Sequence, residues 1–189
     1  MFSQGNEFNN IPINMREIPN FVLWRKELNK DGQPTKIPYN PNTGQKASVT
    51  DASTWGTFDD CVAILPTSGM SGIGFVLTVE CGLVCIDLDD PYEVDMKGRP
   101  KHDNPVALSA KQIAIANAFD SYSEISPSGK GLHIWVKAKI LSGRRSECVE
   151  MYPSGRYITI TGKVHNNSPI NEYQEEATQL WESLAPNSS

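Results

Sequence analysis

Leu83-Val84-Cys85-Ile86-Asp87-Leu88-Asp89-Asp90 is an apolar run that ends in carboxylates. In an extended strand the side chains alternate between faces, so Asp87 and Asp89 share one face and Asp90 takes the other. Neighbouring carboxylates repel unless a cation neutralises them. Hard divalent ions such as Mg²⁺ or Mn²⁺ prefer carboxylate oxygens, which makes Asp87 and Asp89 candidate metal ligands of the kind that serve polymerases and nucleases. Acidic residues also end strands as plain solvated turns, so the pair needs partners further along the chain.

A length of 189 residues is ample for a buried core, as one large domain or two interlocked lobes. No apolar stretch approaches the roughly 18 residues of a membrane span. The N-terminus, Met1-Phe2-Ser3-Gln4-Gly5-Asn6, lacks the basic and apolar regions of a signal peptide. A cytoplasmic protein is expected. The four cysteines, at 61, 81, 85 and 148, show no pairing or zinc-ligand pattern, and Cys85 reads as a small buried hydrophobe.

The net charge of −5 argues against a polyanion partner until its distribution is considered. Glu80, Asp87, Asp89, Asp90, Glu93, Asp95 and Asp103 crowd one segment, and Lys130, Lys137, Lys139, Arg144, Arg145, Arg156 and Lys163 crowd a later one. An acidic metal-binding segment followed by a basic one suits an anionic substrate such as a nucleoside triphosphate. Scatter over a solvated surface is the plainer alternative.

Phe21 to Leu28 reads as a strand, Asn29-Lys30-Asp31-Gly32 as a hairpin turn, and Lys36 to Tyr39 as the returning strand. Asn40 to Ser53 is turn-rich, and Thr57 with Asp60 frames a short helix to about Leu65. Gly72 to Leu77 and Gly82 to Leu88 are expected as adjacent antiparallel strands, followed by a charged insertion from Pro91 to Pro105. Ser109-Ala110-Lys111-Gln112 is a capping box opening a helix to about Phe119. Strands are expected at Ser123–Ile125 and Leu132–Ala138, then a hairpin from Val149–Tyr152 through Pro153-Ser154-Gly155 to Arg156–Thr161. Arg144 and Arg145 fall in a loop between them. Ser168-Pro169 opens a last helix, with Ile170, Tyr173, Ala177, Leu180, Trp181 and Leu184 as its apolar stripe.

Ser126-Pro127-Ser128-Gly129-Lys130-Gly131-Leu132-His133 offers partners for the carboxylates. Glycines and a serine before a strand let backbone N–H groups face an anion, and Lys130 adds a point charge. A strand follows, so this is not the strand–loop–helix phosphate loop. A tight glycine turn with a surface lysine is the plainer reading. Glu150 supplies a third acid flanked by apolar residues, and Arg156 has the fork geometry that suits phosphate oxygens. A cross-strand Glu150–Arg156 ion pair is the alternative.

The ordered set Asp87-x-Asp89, Ser128 to His133, then Glu150 resembles the primase–polymerase branch of the archaeo-eukaryotic primase superfamily, above all its phage and plasmid members. Pro34-Thr35-Lys36-Ile37-Pro38-Tyr39-Asn40-Pro41, Thr50-Asp51-Ala52-Ser53-Thr54-Trp55 and Arg156 to Gly162 are similar too, so the resemblance spans about 20–165. It implies an α+β fold, an RRM-like antiparallel palm over about 72–165 packed against a smaller N-terminal α/β module over about 20–80. A C-terminal helix over 168–185 would complete one catalytic domain, 1–189. It further implies template-dependent nucleotidyl transfer, with Asp87, Asp89 and Glu150 as catalytic ligands of two Mg²⁺ or Mn²⁺ ions. His133, Ser128, Lys130 and Arg156 would bind the nucleotide, Lys36 would line its pocket, and Arg145 with Arg144 would touch triphosphate or template. The implied partners are nucleoside triphosphates, a single-stranded DNA template and primer, and a helicase domain or protein, in the host cytoplasm if phage-encoded. Many relatives carry Asp where Glu150 stands. A nucleotide-binding or single-stranded-DNA-binding module that is non-catalytic or depends on accessory domains is the alternative. A replication-initiation nuclease fits less well, because His102, His133 and His165 form no His-x-His pair.

Overall fold

The computed structural model describes residues 7–89, 108–146 and 148–184, so the expected insertion at Pro91 to Pro105, and Asp90, lie outside the described residues. The fold is α+β, with two antiparallel sheets. The chain divides into two compact units, Met1–Cys81 with Ser154–Lys163, and Gly82–Pro153 with Val164–Ser189.

In the first unit the sheet order is β2-β1-β3-β9, built from β1 (Phe21–Leu28), β2 (Pro34–Tyr39), β3 (Gly72–Leu77) and β9 (Arg156–Ile160). A four-residue helix, α1 (Ile13–Arg16), precedes them, without the apolar period that would have announced it. The β1–β2 turn forms as expected, with the Asn29 side chain accepting from the amides of Asp31 and Gln33. Only Phe21 to Trp24 pair with β3, so β1 is buried over those residues and mostly exposed from Arg25 onward. The helix α2 (Phe58–Ser68) opens with the Thr57–Asp60 capping box and buries Phe58 edge-on against Phe21, at 5.4 Å between centroids. Gly74 permits the Tyr157 ring to lie on β3, since a Cβ there would sit 2.6 Å from its Cδ2.

The exposed end of the β1–β2 hairpin carries a charge network. Glu27 accepts from the Tyr39 hydroxyl and from Arg25 Nε at 2.9 Å, with Lys46 Nζ at 3.4 Å. The Tyr39 hydrogen bond, then Arg25 and Lys46, hold the Glu27 carboxyl at about 2, well below its ordinary 4.5. A depressed carboxyl stabilises the fold above its unfolded value and loses that contribution as pH falls through the folded one. Glu27→Gln is therefore expected to lower Tm modestly near neutrality and to flatten its fall between pH 4.5 and about 2, so that the two proteins converge at the acid end. Thermal melts of both proteins across that range check it.

The second unit has the sheet order β10-β5-β6-β4-β8-β7. Its strands are β4 (Leu83–Leu88), β5 (Ser123–Ile125), β6 (Leu132–Lys137), β7 (Arg144–Ser146), β8 (Val149–Tyr152) and β10 (Val164–Asn166). Val84, Ile86 and Leu88 of β4, with Leu132, Ile134 and Val136 of β6, join one apolar cluster. Ile115 and Phe119 from α3 (Ala110–Ala118) and its C-cap pack there, as do Ala177 and Trp181 of α4 (Gln174–Ser183). Alternation turns Cys85 and Asp87 to the opposite face. Burial pushes the Cys85 thiol well above its ordinary value, in keeping with a small core hydrophobe.

Four expectations are corrected. β3 and β4 are not neighbours; each is largely apolar and takes two other strands as partners, in separate sheets. The 3₁₀ turn Val79–Cys81 separates them. Val149–Tyr152 and Arg156–Ile160 are not a hairpin either, because β8 pairs with β4 and β7 whereas β9 pairs with β3. Arg144 and Arg145 lie on edge strand β7 rather than in a loop. Finally, α4 begins at Gln174, not at Ser168-Pro169. The Pro169 and Asn171 carbonyls accept from Tyr122 and Lys137, and the Tyr173 amide donates to Lys137, which commits that backbone to the sheet. Ile170 is buried there ahead of the helix. No helix among the described residues is long and apolar enough to cross a membrane.

Candidate active site

Strand register assembles the site. Asp87 of β4 lies opposite His133 of β6 on one side and Glu150 of β8 on the other. His133 in turn lies opposite Glu124 of β5, and Glu150 opposite Arg145 of β7. Directly paired residues share a face, so Glu124, His133, Asp87, Glu150 and Arg145 form one row across five strands. Asp89 follows one pleat beyond Asp87, just past the end of β4, where its amide donates to the Cys148 carbonyl at 2.9 Å.

Ligand oxygens from Asp87, Asp89 and Glu150 all lie within 4.8 Å of one another. Like charges directly opposite on a sheet destabilise it, so three such carboxylates suit a site for a cation. Oxygen-only donors fit Mg²⁺ or Mn²⁺ rather than the sulfur- and nitrogen-seeking metals. Asp87 and Glu150 are mostly covered, whereas Asp89 is exposed. The Tyr152 hydroxyl donates to Glu150 Oε2 at 2.5 Å, which leaves Oε1 as the atom nearer Arg145, at 3.8 Å from its Nη1. Arg145 is 67% exposed at the side chain, so this pair is weak. Glu150 therefore pairs with Arg145, while Arg156 lies in the other sheet.

His133 stands between two carboxyls, with Nε2 at 3.7 Å from Asp87 Oδ1 and Nδ1 at 3.5 Å from Glu124 Oε1. Glu124 is fully buried and accepts from the Tyr122 hydroxyl at 3.2 Å. Sequence reasoning missed Glu124, Tyr122 and Tyr152. A lone acid in a three-residue strand leaves no period to read, and an acid–tyrosine pair two residues apart was the one local signal.

The Ser126–Gly131 turn is corrected in its chemistry. The Gly129 amide donates to the Ser126 carbonyl, Lys130 to Ser128 Oγ, and Gly131 to Ser126 Oγ. Those N–H groups hold the turn together rather than facing an anion; Ser128, whose hydroxyl also bonds Ser126 Oγ at 2.9 Å, and Lys130 are both exposed. Gly131 also sits hard against β4: a Cβ there would lie 2.4 Å from the Leu88 carbonyl oxygen, between the two aspartates. Gly131→Ala is expected to displace Leu88 and cost about 1–3 kcal/mol, with a larger proportional loss of metal-dependent activity than of stability. Urea unfolding beside a metal-dependent assay separates the two effects.

Arg144 is not part of the row. Its guanidinium stacks 3.4 Å over the Trp181 ring and donates to the Trp181 and Leu184 carbonyls, closing the C-terminal end of α4. Lys36 and Arg156 lie on β2 and β9 of the first unit, Lys36 with its Nζ 5.6 Å over the Trp24 ring.

No family model matches the chain. Over 151 residues, 76% of its length, it is 42% identical to the curated protein of Nitratiruptor phage NrS-1 named DNA primase-polymerase, and the match covers 19% of that protein. The chain is thus similar in sequence to a phage primase-polymerase, about a fifth of whose length it spans.

Proposed function

We propose that this chain carries out template-dependent nucleotidyl transfer, as a DNA polymerase, a primase or both, in phage or plasmid replication. The observation that carries this reading is the convergence of Asp87, Asp89 and Glu150 beside His133 on one sheet face. The order β5-β6-β4-β8 with α3 between β4 and β5 supports an RRM-like palm of the archaeo-eukaryotic primase type. Similarity to a primase-polymerase supports the chemistry.

On this reading Asp87, Asp89 and Glu150 would hold two ions, Mg²⁺ or Mn²⁺. Such ions, when bound, acidify an attacking 3′-hydroxyl and neutralise charge on the triphosphate and the leaving pyrophosphate. His133, fixed between Glu124 and Asp87, directs Nε2 toward the carboxylates and would hydrogen-bond the phosphates gathered there. Lys130 and Arg145 are exposed cations of the same unit and would attract the triphosphate, with Ser128 as a polar contact. Lys36 and Arg156, of the first unit, are proposed nucleotide-binding residues. Nucleoside triphosphates, single-stranded template and primer are the proposed substrates, with a helicase domain or protein as partner.

The test is incubation with labelled nucleotides, single-stranded template and Mg²⁺ or Mn²⁺, on primed and bare templates, beside an Asp87→Ala/Asp89→Ala control. Metal-dependent extension lost in the control is expected. Product on primed templates alone would identify a polymerase that needs further domains to start chains. No product in either format, with no nucleotide-dependent rise in Tm, would leave a non-catalytic module.

A further inference from the structure

Gln112 completes the capping box of α3, yet half of its hydrogen bonding serves another purpose. Its Oε1 accepts from the Ser109 amide at 3.0 Å and from Ser109 Oγ at 3.1 Å, which is what a capping residue requires. Its Nε2 donates to the Asp89 carbonyl at 2.5 Å and to the Cys148 carbonyl at 3.1 Å. An amide nitrogen has two hydrogens, so both donors are used, and the side chain is buried to 1%. Glutamate would cap this helix as well or better, because a negative charge favours a helix N-terminus. It has no hydrogen to offer two carbonyls. The choice of glutamine is thus explained by Asp89 and Cys148, not by the helix.

Those two carbonyls sit where the sheet ends. Leu88 and Val149 are the last registered pair between β4 and β8, and the Asp89 amide adds one bond to the Cys148 carbonyl beyond it. Asp89 lies outside the strand, and Glu150 is two residues from Cys148. Gln112 acts as one more rung across this open end, and Ile115 anchors its helix in the apolar cluster. Metal ligands must be held to within about half an ångström, which a frayed strand end does not do.

We infer that Gln112 is a positioning residue that fixes the separation of Asp89 and Glu150 and so sets metal affinity at the triad. The inference rests on the metal reading of that triad. The probe is Mn²⁺ alone, titrated calorimetrically into the full chain without nucleotide, for the unaltered protein, Gln112→Glu, Ser109→Ala and Asp87→Ala. Gln112→Glu, with helix content retained by circular dichroism, is expected to bind Mn²⁺ roughly 10–100-fold more weakly. The added negative charge alone would strengthen binding, so a loss cannot come from charge. Ser109→Ala is expected to lower Tm while keeping Mn²⁺ affinity, since it removes the hydroxyl cap and leaves both Gln112 donors in place. Should Gln112→Glu fail to fold, Gln112→Met, of similar length and without either amide group, takes its place in the same comparison. Wild-type affinity in a folded Gln112 variant, or an equal loss in Ser109→Ala, overturns the inference. An unaltered chain that binds Mn²⁺ no better than Asp87→Ala overturns the metal reading, and the inference falls with it.

Discussion

Asparagine at both Asp87 and Asp89 is expected to lower metal-dependent nucleotide incorporation by at least about 10³-fold, since metal-held charge stabilisation is worth several kcal/mol and each 1.36 kcal/mol is tenfold in rate. The same substitutions are expected to leave Tm without metal unchanged or slightly raised. Asp87 lies directly opposite Glu150, and Asp89 is exposed beside them, so the mutual repulsions of the triad are removed without opening a cavity. Chelator should lower Tm in neither the unaltered chain nor the double variant, while Mn²⁺ should raise Tm only in the unaltered chain. Melts with EDTA and with Mn²⁺, run beside the incorporation assay, check both halves. A double variant that melts 10 °C or so below the unaltered chain, both in EDTA, would assign these carboxylates to the fold instead.

Glu124→Ala is expected to have the largest effect on stability of any substitution in the row. Its carboxyl has no exposed surface, accepts from Tyr122 and stands 3.5 Å from His133 Nδ1. Truncation leaves the buried Tyr122 hydroxyl without its acceptor and the buried His133 imidazole without its neighbouring carboxyl, and opens a cavity. Breaking a buried pair in this way costs about 3–5 kcal/mol, or about 6–20 °C in Tm for a chain of this size. Glu124→Gln keeps the shape and an acceptor for Tyr122, and should lose less than half as much. Urea unfolding with both variants is the measurement. If Glu124→Ala melts within 2 °C of the unaltered protein, the Glu124–His133 contact is incidental and His133 is oriented by Asp87 alone.

The structure supports several local readings residue by residue. Asp87 and Asp89 share a face because a strand repeats every second residue. Thr57 with Asp60 and Ser109 with Gln112 form capping boxes because each involves only four consecutive residues. The Asn29 to Gly32 turn forms because Asn29 satisfies two nearby amides with its own side chain. The failures share a cause as well. Val149–Tyr152 and Arg156–Ile160 look like a hairpin because a proline–serine–glycine turn joins them, yet each pairs with a strand some 60–90 residues earlier. The serine–glycine turn before His133 has the composition of an anion cradle, but its serines take up its amides.

From sequence alone, then, the identity of the carboxylates, their shared face and their order along the chain were determined, because these depend on strand periodicity and on residues close together. Only the tertiary structure decided that β4 lies between β6 and β8, and so that His133 and Glu150 flank Asp87. Pairing is chosen by burial across long separations, where a strand apolar at all positions but Asp87 leaves its partners unspecified by local pattern. The same long-range packing turned Glu124 from an unremarked acid into the support of His133, and gave a helix-capping glutamine the carbonyls of Asp89 and Cys148.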